Sequence, residues 1–141
     1  IEKIEIKSRS KREIDGLAVI DQGDSISIEI EVTIDAAVNE AVFMLSIVDS
    51  AMNGIITFPF INTDGFDETF GAGSHKLLVD LGSIDLNIGQ YSFLFSCVEK
   101  KTEIVLLRHQ GLKPFHVHAA SMHRSNAKVI RSAKVTRLTN W

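Results

Sequence analysis

The chain has 141 residues, of which 45% are hydrophobic and 23% charged, with a formal net charge of −3. That length can bury a real core without metals or disulfides, and the composition is that expected of an ordinary soluble globular protein. No stretch approaches the run of about 18 apolar residues that a membrane helix needs, and no basic leader precedes a hydrophobic segment, so neither feature is in the sequence shown.

The chain opens at Ile1, as expected of a fragment cut from a longer polypeptide. Its single cysteine, Cys97, excludes an intramolecular disulfide and is expected to be a buried small hydrophobe. The net charge hides a sharp division. Residues 13–99 hold fifteen acids and one base, Lys76, whereas residues 104–141 hold seven Arg or Lys and no acid. An acidic body with a basic tail is self-complementary: the tail can cross its own chain or that of a partner subunit. The basic residues of the tail are spaced among small and apolar ones without a recognition module, so nucleic acid is not an expected partner.

In chain order, residues 3–9 alternate as a half-exposed strand, with Ile4 and Ile6 on one side. Residues 8–12 form a polar loop, and 14–20 a short second strand interrupted at Asp15 and Gly16. A turn at 21–24 follows, with Gly23 free to take a positive φ. Residues 24–34 carry the cleanest pattern in the chain: Ile26, Ile28, Ile30, Val32 and Ile34 against Ser25, Ser27, Glu29, Glu31 and Thr33. Period two over this length is incompatible with a helix. It also gives the strand one wet face, so its sheet is antiparallel or mixed.

After a link at 35–40, with room for a single helical turn, residues 41–48 are hydrophobic on both faces and predict a central strand. Something must cover its second face: the tail, a partner subunit or a ligand. Residues 55–61 form a strand in which Pro59 demands an edge or a bulge. A turn at 62–65 leads into a Gly-rich polar loop that carries Phe66 and Phe70. Strands follow at 75–81 and 90–99, the second with Tyr91, Phe93, Phe95 and Cys97 on one face. A charged turn at 99–101, a strand at 103–108, a loop at 109–114 and a last short strand at 115–119 complete the body. Eight or nine short strands, no convincing helix and a turn about every ten residues predict an all-β sandwich of two sheets. The tail from 120 is a basic C-terminal extension whose apolar residues are too sparse to assign.

No catalytic motif is present. Residues 71–76 resemble a phosphate loop only superficially, because the spacing is wrong and no helix follows to hold a phosphate. His116 and His118 lie two apart on one strand face, an arrangement that needs a third ligand before it binds zinc or nickel. Asp64, Asp67 and Glu68 are oxygen donors beside glycine, but not at the spacing of a calcium loop. No metal and no cofactor are therefore expected. Exposed aromatics beside planar polar groups suit a sugar, whose apolar face stacks on a ring while its hydroxyls form hydrogen bonds. On that ground Phe66, Phe70 and Tyr91 are candidate stacking residues and Asn62, Asp64, Asp67 and Gln90 candidate hydrogen-bonding partners. Phe66, Phe70 and Trp141 are expected to be exposed. The wet face of residues 24–34 is the alternative platform.

The order of pieces in the central segment carries a resemblance. Ile47, Val48 and Asp49 lead into 54–57, then Asn62 and Thr63, Leu81, the run Leu86, Asn87, Ile88, Gly89, Gln90, Tyr91 and Ser92, and a closing Phe115, His116 and Val117. Over about residues 3–119 this resembles the C-terminal carbohydrate-binding domain of the ATP-binding subunit of O-antigen polysaccharide ABC exporters. The resemblance implies an immunoglobulin-like or jelly-roll sandwich that is homodimeric and cytoplasmic, held at the inner face of the bacterial inner membrane because its parent protein joins the membrane transporter subunit. It implies recognition of the terminal, modified end of a lipid-linked glycan, with ATP hydrolysis left to a preceding domain and the piece itself non-catalytic. It also implies that a C-terminal strand can be exchanged between subunits. Two departures stand out: the tail is longer than the resemblance needs, and residues 66–74 have no counterpart. The alternative reading is a structural module that dimerises or assembles a larger protein without a glycan ligand.

Overall fold

The structure is a computed structural model that describes residues 3–36, 38, 40–119, 129–130 and 133–138. Among the described residues there are twelve strands: β1 (Lys3–Lys7), β2 (Arg12–Ile14), β3 (Leu17–Asp21), β4 (Ser25–Ile34), β5 (Ala41–Asp49), β6 (Gly54–Pro59), β7 (Thr69–Phe70), β8 (Gly73–Ser83), β9 (Gly89–Glu99), β10 (Val105–His118), β11 (Val129–Ile130) and β12 (Lys134–Arg137). They form two sheets. The smaller is antiparallel, in the order β1-β4-β8-β12; the larger is mixed, in the order β11-β6-β5-β9-β10-β3-β2, with β7 on β5. Its parallel pairs are β10 with β3 and β11 with β6. This is the all-β two-sheet arrangement that the alternation in β4 implies.

One core joins the inward faces. The isoleucines of β4, Ile26, Ile28, Ile30 and Ile34, meet Phe43, Leu45 and Ile47 of β5 and Phe93 and Phe95 of β9. Burial is complete at Ile28, Ile30, Phe43, Phe93 and Phe95. Four rings concentrate at one end: Phe43 stacks on Phe70 with centroids 4.7 Å apart and contacts Phe95 and Phe60 at 5.2 and 6.0 Å. Cys97 is buried in the same layer; burial pushes its thiol up to about 11, which leaves it unreactive near neutrality.

Local chemistry sets the turns. Residues 12–21 form a hairpin rather than one interrupted strand, because Asp15 and Gly16 adopt φ of 54° and 79°. Two successive positive φ values make the tight turn that matches strand twist. Residues 109–114, expected as a loop, belong to the 14-residue strand β10. Their turn-like composition is absorbed by irregularities: the register with β9 shifts between Val105 and Leu107, between His109 and Leu112 and between Leu112 and Phe115. Gly111 and Lys113 there take positive φ, as bulged strands allow. In the link before β5, Val38 N–H donates to Asp35 O at 3.0 Å, a single turn. The Tyr91 hydroxyl donates to Asn87 O at 2.7 Å, four residues upstream, the device that pins a strand entry in immunoglobulin-like sandwiches.

The tail joins both sheets of its own chain. Val129 and Ile130 pair with Ile56 and Thr57, Ala133 bridges Phe60, and residues 134–137 pair with 77–80. Strand β6, with Pro59 at its end, would otherwise be an open edge. Residues 120–128 and Trp141 lie outside the described residues.

Candidate functional site

The structure divides the seven sequence-derived site residues among three places. Asn62, Asp64, Phe66 and Asp67 share one tight turn. Asn62 Oδ1 accepts the amides of Asp64 and Phe66 at 2.9 and 3.1 Å, Asn62 N–H donates to Phe66 O at 2.7 Å, and Gly65 completes the turn at φ 83°. The side-chain oxygen of Asn62 is thus engaged by its own backbone, as in an Asx turn. Phe66 is 70% exposed, as expected, and Asp64 and Asp67 are exposed beside it.

Phe70 is a correction: it is 1% exposed rather than at the surface. The polar, glycine-rich composition around it conceals a short strand, β7, that returns the chain to β5 and sets Phe70 opposite Ala41. One face of its ring stacks on Phe43, and the Arg137 guanidinium lies 4.5 Å from its centroid. Tyr91, 4% exposed, likewise offers no free ring; burial, helped by the charge of Asp49, raises its phenol above the ordinary range. Gln90 is exposed but stands beside His116 at the opposite end of β9 from Glu99, which pairs with Ala41 near the Phe66 turn. Nine residues of extended strand put Gln90 roughly 30 Å from that end.

A more developed concavity lies on the outer face of the larger sheet. Strand β5 is apolar on both sides, and its second side is the floor of an open trough of about 590 Å³. Met44 sits between Ser96 of β9 and Pro59 of β6, Ser46 sits between Leu94 and Thr57, and Arg108 of β10 flanks Ser96. The floor is deep although it faces outward: Val48, Ser46 and Thr57 are 2%, 7% and 9% exposed, against 49% for Met52 and 61% for Val105 on the rim. At its centre the Ser46 and Thr57 hydroxyls are 3.1 Å apart. Only one of their two protons can bridge them, so the pair keeps a further donor and free lone pairs for a bound group. No family model matches the chain, and no curated protein matches it.

None of the trough residues was among the sequence candidates. The signal was the two-faced hydrophobicity of residues 41–48, which asks for a covering; its location depends on β6, β9 and β10 lying alongside, which periodicity does not reveal.

The alternative platform, the wet face of β4, is laced with charge pairs. Lys7 Nζ lies 2.9 Å from Glu29 and Lys3 3.8 Å from Glu31. The hydrogen bond from Lys7 lowers the Glu29 pKa and raises that of Lys7. Such a solvated ladder contributes modestly to register and leaves little for a ligand. At the end of the sandwich, Asp24 accepts Ser8 and Ser10 hydroxyls at 2.7 and 2.6 Å and the Ser10 amide at 3.0 Å. The Ser10 and Ser8 hydrogen bonds hold its carboxyl down at about 2, so Asp24 fastens the β1–β2 loop to the β3–β4 turn. His116 and His118 form an edge-to-face pair with centroids 5.0 Å apart. Among the described residues, no group of three or more His, Cys, Asp or Glu could hold a metal ion.

Proposed function

We propose that the chain is a non-catalytic carbohydrate-binding module that takes the terminal, modified end of an O-antigen-type polysaccharide and so selects it for export by an ABC transporter. The observation that carries this reading is the trough. A sugar presents C–H groups on one face and hydroxyls at its edge. The trough opposes them with Met44, Val48 and Leu94 on one hand and the Ser46–Thr57 hydroxyl pair on the other. The resemblance over residues 3–119 supplies the class of ligand. The seat of binding moves from the Phe66 turn to the sheet face, because the turn engages Asn62 Oδ1 with its own backbone and Phe70 is buried, whereas the sheet face combines apolar groups and hydroxyls in one trough.

The test is calorimetric titration of the folded chain with the capped, native end of such a polysaccharide, beside Ser96→Trp, which fills the trough from β9. Saturable binding by the parent and none by the variant is the expected result. No binding at millimolar ligand by a folded parent chain overturns the reading.

A structural or assembly module is the second reading, and one observation favours it. Ile104, just before β10, and Val105 and Leu106 at its start are consecutive and 59%, 61% and 39% exposed, and β3 does not pair with this part of β10. An apolar strand edge of that kind can join another chain. Mass in solution with Ile104→Lys, a residue exposed beside the trough but not among those that line it, discriminates: a dimer that falls apart without change in glycan binding assigns this edge to assembly.

A further inference from the structure

The charge around the trough carries the reading further, to the kind of glycan. Residues 13–99 contain fifteen acids and one base, yet among the described residues no carboxylate lines the trough, and the charged residue that does is Arg108. Arg108 is exposed on the rim, and among the described residues nothing forms a hydrogen bond or ion pair with it. Cationic and titratable groups continue along the same outer face. His116 and His118 alternate with the buried Phe115 and Val117 and so face outward, and Arg12 reaches His118 Nδ1 at 3.4 Å while engaging Asp21 at 3.0 Å. The outer face of the smaller sheet is different in kind: Glu5, Glu29 and Glu31 lie there, interleaved with Lys3 and Lys7. Among the described residues, an acidic chain therefore keeps its trough free of acids and sets an unengaged guanidinium at the edge.

We infer that the glycan bound in the trough carries an anionic substituent, a carboxylate or a phosphate, held by Arg108, while the neutral part of the sugar lies along Ser46, Thr57 and Leu94. A guanidinium fork fits either anion with two parallel hydrogen bonds, and a concave surface focuses the field of a single charge. This inference rests on the glycan-binding reading of the trough.

The experiment titrates the full chain, Arg108→Ala and Arg108→Lys with three oligosaccharides of matched length: a neutral mannan, a phosphomannan and an oligogalacturonate, each at low and high salt. Because Arg108 has no partner to lose among the described residues, both variants should keep the parent's circular dichroism. The expected result is at least a tenfold preference for one anionic chain over the neutral one. That preference should vanish in Arg108→Ala, survive in part in Arg108→Lys and shrink as salt rises. The phosphomannan and oligogalacturonate arms tell phosphate from carboxylate. Equal affinity for the neutral chain, or indifference to Arg108→Ala, overturns the anionic substituent and leaves the glycan reading standing. Failure of all three chains to bind a folded parent that does bind the capped, native end overturns the anionic substituent alone; failure of that end as well overturns both.

Discussion

Arg137 offers the sharpest test of how the tail is held. Its guanidinium lies over the Phe70 ring at 4.5 Å, pairs with Glu68 and donates to Thr69 O at 3.0 Å. The side chain is 49% exposed, which limits each contribution. A cation over a ring at an exposed site is worth about 0.5–1 kcal/mol, and a partly exposed ion pair about 0.2–1 kcal/mol. The contacts share one guanidinium, so Arg137→Ala is expected to cost about 1–2 kcal/mol rather than their full sum. Arg137→Lys should recover only part of this, because an ammonium cannot lie flat on Phe70 and bridge Glu68 together. Urea unfolding measures the cost, and hydrogen exchange at the β12 amides should quicken in the Ala variant. The Phe70→Leu background isolates the ring: there Arg137→Ala should cost less. A loss within about 0.5 kcal/mol, as for an indifferent surface substitution, or an equal loss with and without the ring, refutes the clasp.

Two further outcomes follow from the core and from Asp24. Phe43→Ala, which removes a ring fully buried among Phe60, Phe70 and Phe95, should cost about 3–5 kcal/mol in urea unfolding; a loss below 1 kcal/mol would mean that the four rings do not form one packed unit. The Asp24 carboxyl lies at about 2, below its ordinary 3.8, so the unfolded chain binds its proton first. The stability it provides is present above pH ~4 and fades as pH falls toward 2; since Asp24 is partly accessible to solvent, this amounts to about 1 kcal/mol. Asp24→Asn should therefore be less stable than the parent at pH 7 and equal to it near pH 2, and a constant gap across that window would exclude the linkage.

What could be read in the sequence, and what could not, follows the range of the interactions concerned. The strand β4 was legible because its isoleucines alternate with polar residues over ten positions, a purely local pattern. The central place of β5 was legible because both of its faces are apolar. The hairpin at Asp15 and Gly16 was open to reading as well, since Asp-Gly between short strands is a standard two-residue turn. The bulged middle of β10 was not, because glycine, lysine and proline there have the composition of a loop and only pairing with β9 holds them extended. Phe70 misled for a related reason. Its neighbours in sequence are polar, whereas its neighbours in space, Phe43 and Arg137, come from positions 27 residues before and 67 residues after it. The candidate residues are divided on the same principle: Phe66 and Gln90 lie in one segment of the chain and far apart in the fold, while Ser46, Thr57, Leu94 and Arg108 are spread along the chain and meet in one trough.

The tail then acquires a part in the site that its charge alone did not suggest. Thr57 of the floor and Pro59 beside it belong to β6, the flanking strand of the trough, which has β5 on one side and the tail strand β11 on the other. The residue that β11 pairs with through Ile130 is Thr57 itself, half of the floor hydroxyl pair. Farther along, Ala133 bridges Phe60, and Arg137 closes over Phe70. Whatever frees this segment leaves β6 with an unpaired edge and lets Thr57 shift against Ser46. The same holds if a partner subunit supplies the segment, because β6 then receives the same pairing from another chain. A dimer built by exchange would thus carry two troughs, each with a flanking strand braced by its neighbour, and ligand affinity would depend on protein concentration; with the segment in its own chain, affinity would be independent of it. Titration of the glycan at several protein concentrations separates the two arrangements without removing a residue.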